Sequence, residues 1–111
     1  MDLNIVVLGG RLAAEPEVRQ FDTGSRLVRY LVTVRSVTPR RRVDVIPVTQ
    51  WEPADETPTD PGARGRRVWV TGAVQRRFWD AAQGRRSRIE LVAHHVELRP
   101  DEAPGNGDDP G

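Results

Sequence analysis

Arginines and aromatic rings are concentrated in one short stretch of the sequence. Residues 75–88 hold the adjacent pair Phe78-Trp79, a glycine at position 84 and five arginines: Arg76, Arg77, Arg85, Arg86 and Arg88. Guanidinium groups neutralise phosphates and rings stack on unpaired bases, so this combination is typical of a surface for single-stranded nucleic acid. The alternative is a solvated hairpin tip whose two rings pack into a core, and the stretch alone does not decide between them.

A second basic cluster follows a predicted strand over residues 27–35. It begins at Arg35 and continues with the consecutive arginines Arg40, Arg41 and Arg42, beside Pro39. Such a segment is too polar to bury and could follow a phosphate backbone, although a solvated loop would have the same composition.

Charge is distributed unevenly along the chain. Residues 1–99 carry 17 arginines against 12 acidic residues, a net charge of +5, whereas residues 100–111 carry four acids and no base. Every basic residue is arginine, which can both fork onto phosphate oxygens and stack on a base. A GC-rich genome would also raise arginine over lysine, so composition alone does not assign a nucleic-acid partner.

The residue types exclude several classes of function. With no cysteine there is no disulfide framework, zinc knuckle or thiol nucleophile. His94 and His95 are the only histidines and no phosphate-binding or nucleophile motif is present, so we expect no metal, no cofactor and no enzyme activity. No apolar run approaches membrane length and the N-terminus does not resemble a signal peptide, which predicts a cytosolic, soluble protein with no membrane partner.

Alternating apolar residues predict about five short strands and no confident helix. On the strand over residues 27–35, Val28, Tyr30, Val32 and Val34 share the core side. The strand with Pro47 should lie at an edge or leave one amide site unpaired. These features predict an all-β barrel or sandwich over residues 1–99, followed by a disordered acidic Gly/Pro tail over residues 100–111.

The hairpin over residues 66–96 carries three aromatic residues, Trp69, Phe78 and Trp79, for which we expect different roles. In its first strand, Val68, Val70, Gly72 and Val74 are predicted on the core side and Trp69 on the other. Since Phe78 alternates with Trp79, we expect Trp79 to be exposed for stacking and Phe78 to pack. At the end of the preceding strand, Trp51 could stack on a base or cap the barrel.

A colinear set of residues, spread over most of the chain, resembles the bacterial single-stranded DNA-binding protein family. The resemblance runs from residue 4 to residue 98 and no single motif carries it. It rests on residues 4–12 (NIVVLGGRL), residues 15–19 (EPEVR), Thr23-Gly24, residues 44–48 (DVIPV) with Trp51, Gly65, residues 67–72 (RVWVTG), residues 77–80 (RFWD), Gly84, Ser87 and Glu90.

The resemblance implies an OB-fold, a five-stranded Greek-key barrel with long β-hairpin loops that binds single strands by stacking and charge. It places base-stacking aromatics at Trp51 and Trp79 and a basic contact at Arg77. It also implies a homo-oligomer, usually a tetramer, for which we expect Trp69, Ile5 and Val7 to form the interface. The expected partner is single-stranded DNA, in replication, recombination or repair; RNA stays open because stacking and charge do not read the 2′-hydroxyl.

The sequence also departs from the family pattern. Val37 and Val45 occupy positions where the family often has aromatic residues, which suggests weaker binding or a shorter footprint. Pro58 and Pro61 interrupt a segment that is normally helical, and the acidic tail lacks a hydrophobic end, which argues against recruitment of repair proteins. The chain therefore resembles a short or divergent paralogue. An OB-fold adaptor subunit that acts through protein contacts and binds nucleic acid weakly is the alternative function.

Overall fold

Strands account for all the regular structure in residues 1–53 and 62–100, the part of the chain described by this computed structural model. Within those ranges there are six strands and no helix. They are β1 (Val6–Leu12), β2 (Glu17–Gln20), β3 (Arg26–Ser36), β4 (Arg42–Trp51), β5 (Arg67–Ala81) and β6 (Gly84–Leu98).

Five of these strands close into a barrel. The sheet order is β1-β5-β6-β4-β3-β2, and an additional pairing of β1 with β3 joins the two sides. All neighbours are antiparallel except β4 and β6, which pair in parallel at Val48 and Thr49. The short β2 lies along β3 beyond the end of β1, where Glu17 pairs with Arg29. The predicted five-stranded OB-type barrel is therefore confirmed, with β2 as an added strand.

Two glycines permit close approaches that the barrel needs. A Cβ atom at Gly10 would lie 2.2 Å from the carbonyl oxygen of Thr33, where β1 passes from β5 to β3. A Cβ atom at Gly72 would lie 2.0 Å from the carbonyl oxygen of Val92. No side chain fits in either space, so the glycines in these strands mark the places where neighbouring backbones touch.

The core forms where the alternation predicted it. Val28, Tyr30 and Val32 of β3 are almost fully buried against Val68 and Val70 of β5. Burying these apolar side chains supplies the main favourable free energy of the barrel.

A buried polar pair completes this core. The Tyr30 hydroxyl donates to Oε1 of Gln50 at 3.1 Å, and burial raises the pKa of that phenol well above its usual range. The predicted core position of Tyr30 is confirmed.

One of the predicted core positions on β5 is wrong. Between Thr71 and Gly72 the pairing with β6 jumps from His95 to Ala93, so His94 is the extra residue of a β-bulge. Ala73 is buried and Val74 is exposed, which makes the prediction of Val74 on the core side wrong. Alternation gives the side of Val74 but not how far the core extends, and the buried positions of β5 end at Ala73.

Beyond the barrel, β5 and β6 continue as a two-stranded arm, residues 75–88. Pairing persists to Ala81 and Gly84, with a two-residue turn between them and φ of 107° at Gly84. The arm has no core beneath it, so Phe78 is 50% exposed and the prediction that it packs is wrong.

Pro47 occupies the half of β4 that has a neighbour on one side. It pairs with Leu31 of β3, while the parallel ladder to β6 is confined to Val48 and Thr49. This placement agrees with the predicted unpaired site. The interrupted helix at Pro58 and Pro61 and the disorder predicted for the tail concern residues 54–61 and 101–111, which lie outside the described part of the chain.

Candidate nucleic-acid interface

Aromatic and basic side chains meet in a groove where the arm leaves the barrel. The groove has a volume of about 330 Å³ and is called here the aromatic groove. It brings together four residues predicted from the sequence, Trp51, Trp79, Arg77 and Arg88, with four others, Arg19, Phe21, Leu27 and Arg29. Rings and guanidinium groups therefore share one concave surface.

Three elements position the two rings on the barrel side. Trp51 ends β4, opposite Leu27 of β3, and Phe21 directly follows β2. A tight turn holds Phe21 in place: its N–H donates to the carbonyl of Ser25, and its own carbonyl accepts from Gly24. The rings of Phe21 and Trp51 consequently stack, with centroids 5.8 Å apart and planes 24° from parallel.

The arm contributes alternate residues from one of its faces. Arg77 and Trp79 are two apart on β5, and their partners Arg88 and Arg86 are two apart on β6. The Arg77 guanidinium lies 5.0 Å from the ring centroid of Trp51, and that of Arg88 lies 5.7 Å from the ring of Trp79. A ring that already carries a guanidinium on one side can still accept a base on its other side.

Sequence reasoning missed Phe21, Arg19 and Arg29 as members of this surface. The sequence alone does not link Phe21 to this surface, because its partner Trp51 is thirty positions later and meets it through the β2–β3–β4 ladder. The available signal was the position of the ring directly before a turn that contains Gly24, where a large apolar side chain has little core to enter. Arg19 forms an ion pair with Glu17 at 2.9 Å.

Three of the predicted arm residues do not line the aromatic groove. Arg76 and Arg85 belong to the opposite face, where Arg76 donates to the Ser87 hydroxyl at 3.2 Å and Arg85 lies 4.6 Å from the ring centroid of Phe78. Arg86, near the turn, donates to the side chain of Gln83. The structure therefore divides the five arginines of the arm between two faces.

The basic cluster after β3 does not join the groove either. Arg40 and Arg41 are exposed in the loop before β4, and Arg42 forms an ion pair with Asp44 at 3.0 Å. Arg35 lines a separate recess of about 420 Å³ together with Arg11, Arg67 and Trp69. Their predicted contacts with DNA require a strand that extends beyond the aromatic groove.

The two positions that depart from the family pattern are open on the surface. Val37 is 72% exposed and Val45 is 53% exposed. Neither lines the aromatic groove. A valine offers no flat ring to a base, so stacking capacity in this region is lost.

Apolar residues are also exposed along the outer part of the β1–β5 ladder. Ile5 and Val7 are about two-thirds exposed and Trp69 is 49% exposed, with the Arg99 guanidinium 4.6 Å from its ring centroid. Val7 pairs with Thr71 and Gly9 pairs with Trp69, so the three side chains lie on one continuous patch of sheet. Their role as an oligomer interface stays a prediction.

Neither a metal-ion cluster nor a membrane-spanning helix occurs among the described residues. Across residues 1–53 and 62–100, no group of three or more His, Asp or Glu side chains is arranged to hold a metal ion. No helix in those ranges is long and apolar enough to cross a membrane.

Comparison with known proteins identifies the family. Residues 3–99 match the model of the single-strand binding protein family. The chain belongs to this family. Its members are non-enzymatic DNA-binding proteins, so the expectation that the chain is not an enzyme is confirmed.

Individual relatives agree over most of the chain. The single-stranded DNA-binding protein of Caldanaerobacter subterraneus subsp. tengcongensis is 33% identical over 97% of this chain and 76% of its own length. That of Clostridium tetani is 30% identical over 86% of this chain and 70% of its own length.

Solved structures support the fold independently. The crystal structure of the wild-type single-stranded DNA binding protein from Thermus aquaticus superposes with a TM-score of 0.77 at 20% identity, and the match covers 95% of this chain. The chain spans about half, 52%, of that protein. At this identity the similarity concerns the fold alone.

Proposed function

We propose that this chain binds single-stranded DNA without catalysis and with little dependence on sequence. The observation that carries the proposal is the aromatic groove, in which Trp51, Trp79 and Phe21 alternate with arginines on one concave surface. Membership of the single-strand binding protein family supports the same function.

The groove suggests a simple mechanism. Bases stack on Trp79 and on the Phe21–Trp51 pair, while Arg77 and Arg88 approach the phosphates and release condensed counterions. Every base has a flat face, so stacking of this kind does not select a sequence. A duplex presents no unpaired base to these rings, so the groove should bind single strands in preference to duplex DNA.

The remaining arginines extend this path. Arg35 and the loop residues Arg40, Arg41 and Arg42 are proposed to contact phosphates outside the groove, whereas Arg76, Arg85 and Arg86 on the arm are proposed to add to DNA binding by their charge. Because Val37 and Val45 provide no rings, the groove should carry a larger share of the binding free energy than a surface with stacking residues at those positions.

The physiological setting is also proposed. The chain acts in the cytoplasm, associated with the nucleoid, during replication, recombination or repair. It assembles as a homo-oligomer, a tetramer in the usual form of the family, through the exposed patch of Ile5, Val7 and Trp69.

The direct test is titration of the protein with an oligothymidylate, followed by tryptophan fluorescence. Binding should quench the emission, and Trp79→Ala should remove part of the quench and about 1–3 kcal/mol of binding free energy. Phe78→Ala is the matched control, because it removes the adjacent ring from the opposite face of the arm. Unchanged affinity in Trp79→Ala would reject the stacking role.

An adaptor function is the second candidate, favoured by the exposed Val37 and Val45 together with the apolar patch at Ile5 and Val7. It predicts stable oligomers without measurable binding of single strands at physiological salt. The same titration, combined with sedimentation of the unliganded protein, separates the two functions.

A further inference from the structure

Glu52, the residue directly after β4, has an unusual backbone conformation. Its φ is 49°, and within residues 1–53 and 62–100 it is the only residue other than glycine with a positive φ. A side chain with a Cβ atom opposes this left-handed conformation, and the ring of the following Pro53 favours extended backbone angles at position 52. Such a residue persists where the surrounding structure holds it in place.

Glu52 is held by two hydrogen bonds to Arg26, at the start of β3. Its backbone N–H donates to the Arg26 carbonyl at 2.9 Å, and the Arg26 N–H donates to Oε1 of the Glu52 side chain at 3.2 Å. In a regular antiparallel pair the second acceptor would be the backbone carbonyl of residue 52. The carboxylate takes the place of that carbonyl, so β4 stays joined to β3 up to the point where its backbone turns.

This link connects the two backbone segments that carry the barrel-side rings of the aromatic groove. Trp51 directly precedes Glu52 in the chain. Ser25 directly precedes Arg26, and its carbonyl accepts from the N–H of Phe21 at 2.9 Å. The hydrogen bonds between Glu52 and Arg26 therefore tie the backbone of one ring to the turn that carries the other.

The Phe21–Trp51 pair depends on this backbone because little else fixes it. The ring centroids are 5.8 Å apart, but neither ring belongs to the buried core and Phe21 is partly exposed. A shift of one segment against the other would separate the rings and change the surface offered to a base. The hydrogen bonds of Glu52 oppose such a shift.

We propose that Glu52 is a positioning residue, which holds the Phe21–Trp51 pair in the arrangement on which a base stacks. The proposal rests on the proposed function, since it requires a single strand in the aromatic groove. Glu52 acts through its hydrogen bond to Arg26 and not through contact with the DNA. Its exposed negative charge repels a bound polyanion, so loss of the charge alone would tighten binding. Positioning and charge therefore predict changes of opposite sign.

The first test compares Glu52→Ala with Glu52→Gln by titration with an oligothymidylate. Both variants remove the charge, but glutamine keeps a side-chain oxygen that can accept from the Arg26 N–H. We expect about fivefold weaker binding in Glu52→Ala, a partial loss of one stacked base, and affinity equal to or above that of the unaltered protein in Glu52→Gln. Equal changes in the two variants, in either direction, would overturn the proposal.

The second test separates positioning from a general effect on stability. Glycine adopts a positive φ without strain but offers no side-chain acceptor, so Glu52→Gly relieves the backbone and still breaks the bond to Arg26. We expect its unfolding midpoint in urea to stay close to that of the unaltered protein, while its affinity falls about as far as that of Glu52→Ala. Normal affinity in Glu52→Gly would mean that Glu52 serves only the stability of the barrel, and the proposal would be wrong.

The third test asks whether the effect passes through the ring pair. In a Phe21→Ala background there is no pair left to position, so adding Glu52→Ala should weaken binding by less than about twofold. The same fivefold loss in both backgrounds would overturn the proposal while DNA binding stands. If the unaltered protein does not bind the oligothymidylate, the proposed function itself fails.

Discussion

At the scale of single residues, the aromatic groove depends on rings that are neither buried nor fully exposed. Trp79 is 43% exposed and Phe21 is 41% exposed, so each keeps one face available to a ligand while the protein holds the other. A ring held in this way loses little conformational entropy on binding a base, which makes its stacking more effective.

Phe21→Ala should weaken binding of single-stranded DNA with little effect on folding. The substitution removes a ring from the groove and leaves Trp51 without its stacked neighbour, so we expect a loss of about 1–2 kcal/mol of binding free energy. The free energy of unfolding should change by about 1 kcal/mol or less, because the side chain is partly exposed. Titration and thermal unfolding measure the two effects.

Val18→Ala is the control for that variant. Val18 is similarly exposed, at 45%, on β2, the short strand that Phe21 directly follows, but it does not line the groove. Equal losses of affinity in both variants would mean that β2 acts only by supporting the barrel, and that the Phe21 ring does not contact DNA.

Residue positions were predictable where the signal is local. Trp79 could be placed at an exposed tip because arginines and Gly84 surround it in the sequence. Phe21 could not be linked to Trp51, since only the pairing of β2 with β3 and of β3 with β4 brings them together. Phe78 was misplaced because strand alternation gives the side of a residue and not whether a core exists on that side.

At the scale of elements, β1 pairs with two different strands, and the change of partner requires a glycine at position 10. It pairs with β5 along most of its length and with β3 at Arg11 and Leu12, which closes the barrel. The change of partner brings the Gly10 Cα close to the backbone of β3. Of the two adjacent glycines, Gly9 and Gly10, it is the second that makes the close backbone contact.

Gly10→Ala should therefore destabilise the protein far more than Gly9→Ala. At Gly10 a methyl group would meet the Thr33 carbonyl oxygen at 2.2 Å, whereas at Gly9 the nearest atom is Nε1 of the Trp69 side chain at 3.4 Å. We expect a loss of about 1–3 kcal/mol in the free energy of unfolding for Gly10→Ala and less than about 1 kcal/mol for Gly9→Ala. Urea unfolding measures both, and equal losses would contradict the assignment of the contact.

The arm contributes Arg77, Trp79 and Arg88 to the aromatic groove. Replacing residues 77–88 by an Asn-Gly turn would join Arg76 to Ile89, which are already paired across the ladder. Since the removed residues are exposed, the barrel should still fold, with a small change in the unfolding midpoint. Affinity for oligothymidylate should fall by more than about 3 kcal/mol, the combined effect of losing Trp79 and four arginines, of which Arg77 and Arg88 line the groove.

The result that would contradict this role of the arm is a shortened protein that folds and binds DNA normally. The hairpin over residues 66–96 was predictable from the sequence, but the bulge at His94 was not, because a register shift exists only relative to a partner strand. A feature that depends on the pairing of two strands, such as this bulge, could not be predicted from the sequence of either strand.

At the scale of the whole molecule, charge and stacking make separable contributions to binding. The net charge of +5 over residues 1–99 attracts any polyanion, whereas the rings distinguish unpaired bases from a duplex. Composition shows the excess of arginine, but not which arginines share a surface with the rings. Four arginines line the aromatic groove, namely Arg19, Arg29, Arg77 and Arg88.

The dependence of affinity on salt should resolve the two contributions. For a single strand, each phosphate contact contributes about −0.7 to the slope of log K against log[salt], so four contacts would give a slope of about −3. Arg88→Gln should make the slope less steep by about 0.7. Trp79→Ala should lower the affinity at every salt concentration and leave the slope unchanged, because a stacked base releases no counterion.

Arg85→Gln serves as the control for charge alone, since Arg85 lies over Phe78 on the face of the arm opposite the groove. If the strand follows the groove, removing this arginine will change the slope less than removing Arg88 does. Equal changes from the two arginines would mean that the arm acts through its overall charge, and that the strand does not take the path between Trp51 and Trp79.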